Sequence, residues 1–362
     1  MKPSSMRNGN SMKAGQDKPR IIAVEEHFLT ESYVTETANL RVPADEEPER
    51  AFMSNLSRDV MLRNRLTDMD TRLKEMDQAA IDVSVLSLNP PGVQIYDDTK
   101  KAVSLVQDMN DRLAEIVQSR PGRFGGLGSL APQDPKRSAD EVKRIMGPLG
   151  LAGVLIASHT HGRYLDHPAC EPILAALEEE DATLYLHPRS PSPQMLAPFL
   201  DYGMIAAVWG FQAEAGTHAI RLILSGVLDR HPNLKIVLGH LGEALPFWLW
   251  RLDNIHRRTY QLAGDALGMV KLKMKPTEYI RRNFAISTSG MFDSKVLRYC
   301  IDAVGADKIL FAVDYPYEDS NTAARFLKEA EITEEERDLI SHRSAERLFR
   351  LPVSSPVKET QI

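Results

Sequence analysis

The chain has 362 residues, 43% of them hydrophobic and 26% charged, with a formal net charge of −6. No run of about 18 apolar residues is present to span a bilayer, and the mild acidic excess leaves no basic footprint for nucleic acid or an anionic membrane surface. Two cysteines, Cys170 and Cys300, exclude a disulfide framework, and without a CxxC pair structural zinc has no motif; a reducing, cytoplasmic setting is expected.

Residues 1–20 hold five basic residues, one acid and no apolar stretch. They are expected to form a disordered tail, and they lack the apolar core of a secretory signal. Short apolar, β-branched runs then recur at 21–24, 84–88, 124–130, 153–157, 183–186, 235–239, 284–287 and 308–313. Amphipathic helical patterns lie between them, for example at 102–118, 171–180, 217–228, 242–260, 293–304 and 334–348. Eight strands each followed by a helix predict a (β/α)8 TIM barrel, an α/β fold. A doubly wound dinucleotide fold is disfavoured because no GxGxxG follows the first strand. The segment at about 29–62 is too long for a βα loop and predicts a small helical cap inserted after strand 1. One barrel domain over 21–351 is expected, with a flexible C-terminal tail at 352–362.

Barrel active sites sit at the C-terminal ends of the strands, and chemistry collects there. The first strand runs into Glu25-Glu26-His27-Phe28, and in an extended chain Glu25 and His27 point to the same side. The fifth strand ends at His187, the sixth at His240 and the eighth at Asp314. Any one histidine after an apolar run is more often a packed, hydrogen-bonded residue than a ligand. Four of eight strand ends bearing carboxylate or imidazole reverse those odds and predict one divalent metal ion, Zn2+ or Mn2+, with no organic cofactor. Residues 151–165 contain no lysine to bridge a second metal. They offer His159 and His161, which serve equally well as polar loop residues.

With these residues on the page, the chain resembles the amidohydrolase-related decarboxylases, relatives of aminocarboxymuconate semialdehyde decarboxylase that act on hydroxybenzoic acids. The motifs are Glu-Glu-His-Phe at 25–28, Leu-His-Pro-Arg at 186–189, Gly-His-Leu-Gly-Glu at 239–243 and Val-Asp-Tyr-Pro-Tyr at 313–317, and the likeness spans residues 21–351. It implies Glu25, His27, His187 and Asp314 as metal ligands, and His240 paired with Glu243 beside the metal. It also implies Arg251 as a contact to the substrate carboxylate across a subunit boundary, hence a homodimer or homotetramer. Arg189, Tyr317, His159 and Arg50 are further candidates for holding a small aromatic carboxylate. Residues 158–166 and Tyr315-Pro316-Tyr317 point to the carboxyvanillate decarboxylase branch, whereas His27 points to the γ-resorcylate branch.

The chemistry implied is non-oxidative loss of CO2 from an ortho-hydroxylated aromatic acid, possible in both directions. Protonating the ring carbon first lets C–C cleavage restore aromaticity. Asp314 is the expected proton donor, with His240 and Glu243 as a supporting dyad. The rival reading is a metal-dependent hydrolase that activates a water with the same ligands. A barrel that binds metal or a partner without catalysis is a third reading, and the full ligand set argues against it.

Overall fold

The computed structural model describes residues 20–38, 40, 48–56 and 58–352. The expected tails at 1–20 and 352–362 lie outside these residues apart from Arg20 and Pro352. Eight parallel strands follow one another in sequence order around one sheet: β1 Ile22–Phe28, β2 Val83–Leu88, β3 Phe124–Ser129, β4 Gly153–Ala157, β5 Thr183–His187, β6 Lys235–Leu238, β7 Phe284–Ser287 and β8 Ile309–Leu310. The chain beyond β8 closes the ring onto β1. Val24 N–H donates to Phe311 O at 3.1 Å, Asp314 N–H to Glu25 O at 3.1 Å and His27 N–H to Tyr315 O at 2.8 Å. This is the (β/α)8 barrel that the alternating pattern predicts.

Two packed layers follow from the strand period of two. One set of side chains fills the barrel, among them Ile22, Val24, Val85, Leu127, Leu155, Tyr185, Val237 and Leu310. The alternate set packs against the surrounding helices. Gly128 shows how closely they pack, because a Cβ there would stand 2.5 Å from Ile145 Cδ1. The N-terminal end of the barrel is stoppered by the last helix, Ser344–Phe349. Phe349 and Leu351 join the barrel core, and Thr183 Oγ1 donates to Leu348 O at 2.6 Å. The barrel therefore presents its chemistry at one end.

The elements depart from expectation in places that matter for the site. β1 runs to Phe28 rather than ending at Val24, so Glu25 and His27 lie within the strand. β8 has two residues; beyond it Phe311 O accepts from Val24 N–H of β1, while Ala312 N–H and O both bond Thr288 Oγ1 after β7. The helix expected at 242–260 begins at Leu245 and ends at Ala263, because the five residues before it are left-handed. The pattern at 217–228 breaks at Gly226, which has a positive φ and separates Gly210–Leu224 from Val227–Arg230. The cap is helical and longer than expected, with helices Glu31–Thr37, Pro48–Leu56 and Val60–Thr67. Thr30 and Asp59 cap the first and third, accepting from Tyr33 and Leu62 N–H.

Candidate metal centre and active site

A β-bulge between Ala23 and Glu26 bends β1 at the mouth. Glu25 and His27 are both fully buried. Glu26 between them turns away from this pair. Its Oε1 accepts from Val313 N–H at 3.0 Å, and burial, only partly opposed by the Arg72 guanidinium, pushes its carboxyl up to about 8. Arg72, itself buried, lies 4.0 Å over the Tyr315 ring and donates to His27 O. The cation thus ties the cap's neighbouring helix to the strand that carries the site.

One ligand atom each from Glu25, His27, His187 and Asp314 lie within 4.8 Å of one another. His187 Nε2 is 3.1 Å from Glu25 Oε1, and His27 Nε2 is 3.4 Å from Asp314 Oδ1. The proton inventory decides what belongs between them. His187 Nδ1 sits 2.6 Å from Pro188 O, so Nδ1 carries a proton and Nε2 is the nitrogen turned toward Glu25. Glu25 Oε1 and His27 Nε2 are buried with no hydrogen-bond partner. Burial lowers the His27 pKa and keeps its imidazole neutral. Two imidazoles and two carboxylates converging on one position, with Glu25 Oε1 and His27 Nε2 left without partners, fit a divalent cation.

His240 stands beside the quartet rather than in it. Its Nε2 is 3.7 Å from Asp314 Oδ2 and 4.0 Å from Glu25 Oε1, while Nδ1 is 2.7 Å from Glu243 Oε1. Burial opposes charge on His240, but Glu243, Glu25 and Asp314 overcome it and raise its pKa well above the usual 6.5. The acids respond in kind. Burial alone would raise Glu25, yet His240 and His187 pull it down to about 2. Asp314, partly buried, is held below the ordinary carboxylate range by His240 and His27.

His240 owes its position to unusual backbone. His240, Leu241, Gly242, Glu243 and Ala244 all have positive φ, between 50° and 83°. For residues with a Cβ this costs roughly 1–2 kcal/mol each, and such strain persists only where the surroundings hold it. Gly242 N–H bonds Gly239 O at 2.7 Å. At Gly242 a Cβ would also meet Ile286 Cγ2 at 2.8 Å. One left-handed turn places residues three apart on one side, which is what sets Glu243 against His240. Asp314 is left-handed too, with φ 75°.

The other candidates are scattered in their roles. Tyr317 belongs to the mouth: its ring lies 6.0 Å from His27 and its hydroxyl donates to Asn89 Oδ1 at 2.6 Å. Arg189 is buried and forked onto Glu49 of the cap, with Nε to Oε1 at 3.0 Å and Nη1 to His159 O at 2.8 Å. It fastens the cap to the β5 loop. Arg50 does similar work from the same helix, donating to Ile95 O and to Asp97. His159 has no ring nitrogen to offer a ligand: Nε2 faces Ser190 O at 3.1 Å and Nδ1 accepts from Gly162 N–H at 3.2 Å. His161 faces Tyr96 O at 3.2 Å. Arg251 is exposed on the helix Leu245–Ala263, near Phe247 and Trp250, which are 71% and 77% exposed.

A cavity of about 640 Å3 opens beside His240 and Asp314, lined by Trp209, Phe247, Met291 and Tyr299 among others. An apolar aromatic chamber at the rim of a metal centre suits a flat organic acid.

A barrel with two carboxylates and two imidazoles gathered at its mouth defines a metal-dependent barrel enzyme. The chain belongs to the amidohydrolase family, whose profile matches residues 27–351. It is 36% identical to γ-resorcylate decarboxylase of Rhizobium sp. (strain MTP-10005) over 344 residues, covering 91% of this chain and 98% of that one. The crystal structure of 5-carboxyvanillate decarboxylase from Sphingomonas paucimobilis is 40% identical, with a TM-score of 0.87 over 92% of this chain and all of the other. That of 5-carboxyvanillate decarboxylase from Novosphingobium aromaticivorans DSM 12444, complexed with manganese and 4-hydroxy-3-methoxy-5-nitrobenzoic acid, is 34% identical with a TM-score of 0.88, covering 93% and 98% of the two chains. Each of these relatives is a decarboxylase, which favours a carboxy-lyase over the hydrolase alternative. No helix among the described residues is long and apolar enough to cross a membrane.

Several supporting residues were not singled out from the sequence. Tyr185, Ser287 and Ser289 line up beneath Glu25, and Ser87 Oγ lies 3.2 Å from His27 Nδ1. Their only sequence signal is the period of two: Tyr185 precedes His187 by two residues, and Ser287 precedes Ser289 by two.

Proposed function

We propose that this protein decarboxylates a benzoate bearing a hydroxyl ortho to its carboxylate, with manganese as its divalent ion. The observation that carries the reading is the quartet of Glu25, His27, His187 and Asp314, with the His240–Glu243 pair 3.7 Å from Asp314 at its rim. The decarboxylases that the chain resembles support this reading over a water-activating hydrolase.

Glu25, His27, His187 and Asp314 would hold the ion, which supplies Lewis-acid charge for the substrate's carboxylate and phenolate oxygens. The chain's own groups do the rest. The proton passes from His240 Nε2 to Asp314 Oδ2 and from there to the ring carbon that bears the carboxylate. That carbon becomes tetrahedral and the ring loses aromaticity. The bond to the carboxylate then breaks, its electron pair returns to the ring, and CO2 leaves with the phenol as product. Glu243 orients the His240 imidazole through its contact to Nδ1 at 2.7 Å. Tyr317 and the apolar wall of Trp209 and Phe247 keep the ring in register and exclude water. Run backwards, the same groups carboxylate a phenol.

The preferred ring is tested by incubating the manganese-loaded protein with salicylate, the dihydroxybenzoates and 5-carboxyvanillate while following CO2. Release from at least one ortho-hydroxylated acid is expected, with none from benzoate; hydrolysis or ring-opening without CO2 would overturn the reading. Assembly belongs to the same proposal. Val208, Trp209, Phe247 and Trp250 form an exposed apolar surface around Arg251, and such a surface suits a second copy of the chain. Light scattering is expected to give a dimer or tetramer. A monomer would remove Arg251 from any partner's active site.

A further inference from the structure

Beneath the ligand quartet lies a chain of hydroxyls. Tyr185 OH donates to Glu25 Oε2 and stands 2.7 Å from Ser287 Oγ. Ser287 Oγ is 3.2 Å from the same Glu25 oxygen and 3.0 Å from Ser289 Oγ. Ser289 Oγ in turn accepts the backbone N–H of His240 at 3.1 Å. Tyr185, Ser287 and Ser289 are all fully buried, so these bonds have no water to replace them.

Each hydroxyl has one proton, and the ends fix where it goes. Ser289 takes the His240 N–H, so its own proton points to Ser287. Ser287 then directs its proton to the Tyr185 oxygen at 2.7 Å, with Glu25 Oε2 the longer alternative at 3.2 Å, and Tyr185 donates to Glu25. The chain is polarised in one direction, from the strained turn to an ionised carboxylate. It occupies Glu25 Oε2 fully and leaves Oε1 as the atom without a partner. Gly239 belongs to the same arrangement. Its φ of −69° suits any residue, yet a Cβ there would lie 3.0 Å from Glu25 Oε2 and 3.2 Å from Ser289 Oγ. Glycine is needed for the space, not for the backbone.

We propose that Ser289, through Ser287 and Tyr185, is a positioning residue that links the left-handed turn bearing His240 to the orientation of Glu25, so that metal affinity and turnover depend on one hydrogen-bonded chain. The proposal deepens the decarboxylase reading by adding residues that touch neither substrate nor metal. Disturbing partners one step removed from a ligand typically weakens metal binding about 10–100-fold.

The test measures Mn2+ affinity by electron paramagnetic resonance of free Mn2+, in the absence of substrate, for wild type, Ser289→Ala, Tyr185→Phe and the double variant. Each single variant is expected to weaken binding roughly 10-fold or more, and the double variant to be no weaker than the poorer single, since both cut the same chain. At saturating Mn2+, Ser289→Ala is expected to lower kcat with little change in KM. Gly239→Ala is expected to mimic Ser289→Ala. Wild-type affinity in both single variants, or losses that simply multiply in the double variant, would overturn the proposal. Tyr185→Phe keeps the ring and carries the test if Ser289→Ala does not fold. Affinity is read without turnover, so a wild-type protein that releases no CO2 sinks the reaction and spares the relay.

Discussion

Asp314→Asn is expected to abolish measurable CO2 release, lowering turnover by a factor of roughly 10²–10⁴ as the loss of a proton-transferring group does, in a protein that stays folded. The substitution is mild everywhere except in its chemistry. Asparagine tolerates the left-handed φ of 75° at this position. The backbone bonds to Glu25 O and from Tyr317 N–H do not involve the side chain. The amide oxygen can still face His27 Nε2, so most of the metal is retained. Lost is the oxygen that accepts the proton of His240 and passes it to the ring. Circular dichroism and metal analysis beside a CO2 assay separate these effects. Undiminished turnover would remove Asp314 from the proton path and leave His240 to act on the ring directly.

Stripping the metal with a chelator should likewise abolish activity, and added Mn2+ should restore it. Glu25→Gln should block that restoration at ordinary Mn2+ concentrations, with an affinity loss larger than the about 10–100-fold of an outer-shell change. The reason is geometric. If the glutamine amide nitrogen takes the place of Oε2, it faces the hydroxyls of Tyr185 and Ser287, which are already donors. If it takes the place of Oε1, it aims N–H groups at the ligand position beside His187 and His240. Neither rotamer satisfies both sides, and the negative charge is gone in either. Full activity after exhaustive chelation, with no metal found in the protein, would overturn the metal-centre reading.

The fold was legible because helix and strand periods alternate eight times, and the ligands were legible because they sit where strands end. What escaped reading escaped for physical reasons. β1 looks four residues long because Glu25, Glu26 and His27 read as a polar exit from a strand; in fact all three are buried, two facing the metal position and one facing Arg72. Burying charge is costly unless it is paired, and the pairing partners come from distant segments that periodicity cannot see. The left-handed turn at 240–244 was hidden for the same reason. Only Gly242 hints at it, while the other four residues are driven there by tertiary bonds. Residues 311–313 carry a strand's composition but divide their hydrogen bonds among Val24 and Glu26 of β1, Thr288 and Ile340. Among the site candidates, His159 and Arg189 illustrate the reverse: their residue types suit a ligand, but their hydrogen bonds go to backbone and to Glu49.

The stopper formed by Ser344–Phe349 and Leu351 has a bearing on traffic through the protein. With the opposite end of the barrel filled, an aromatic acid, its phenol product and CO2 must all use the cavity that opens beside His240 and Asp314. The exchange is therefore sequential: the ring that has lost its carboxylate blocks the path of the next until it departs. Departure, not bond cleavage, then sets the pace whenever the phenol fits the chamber well.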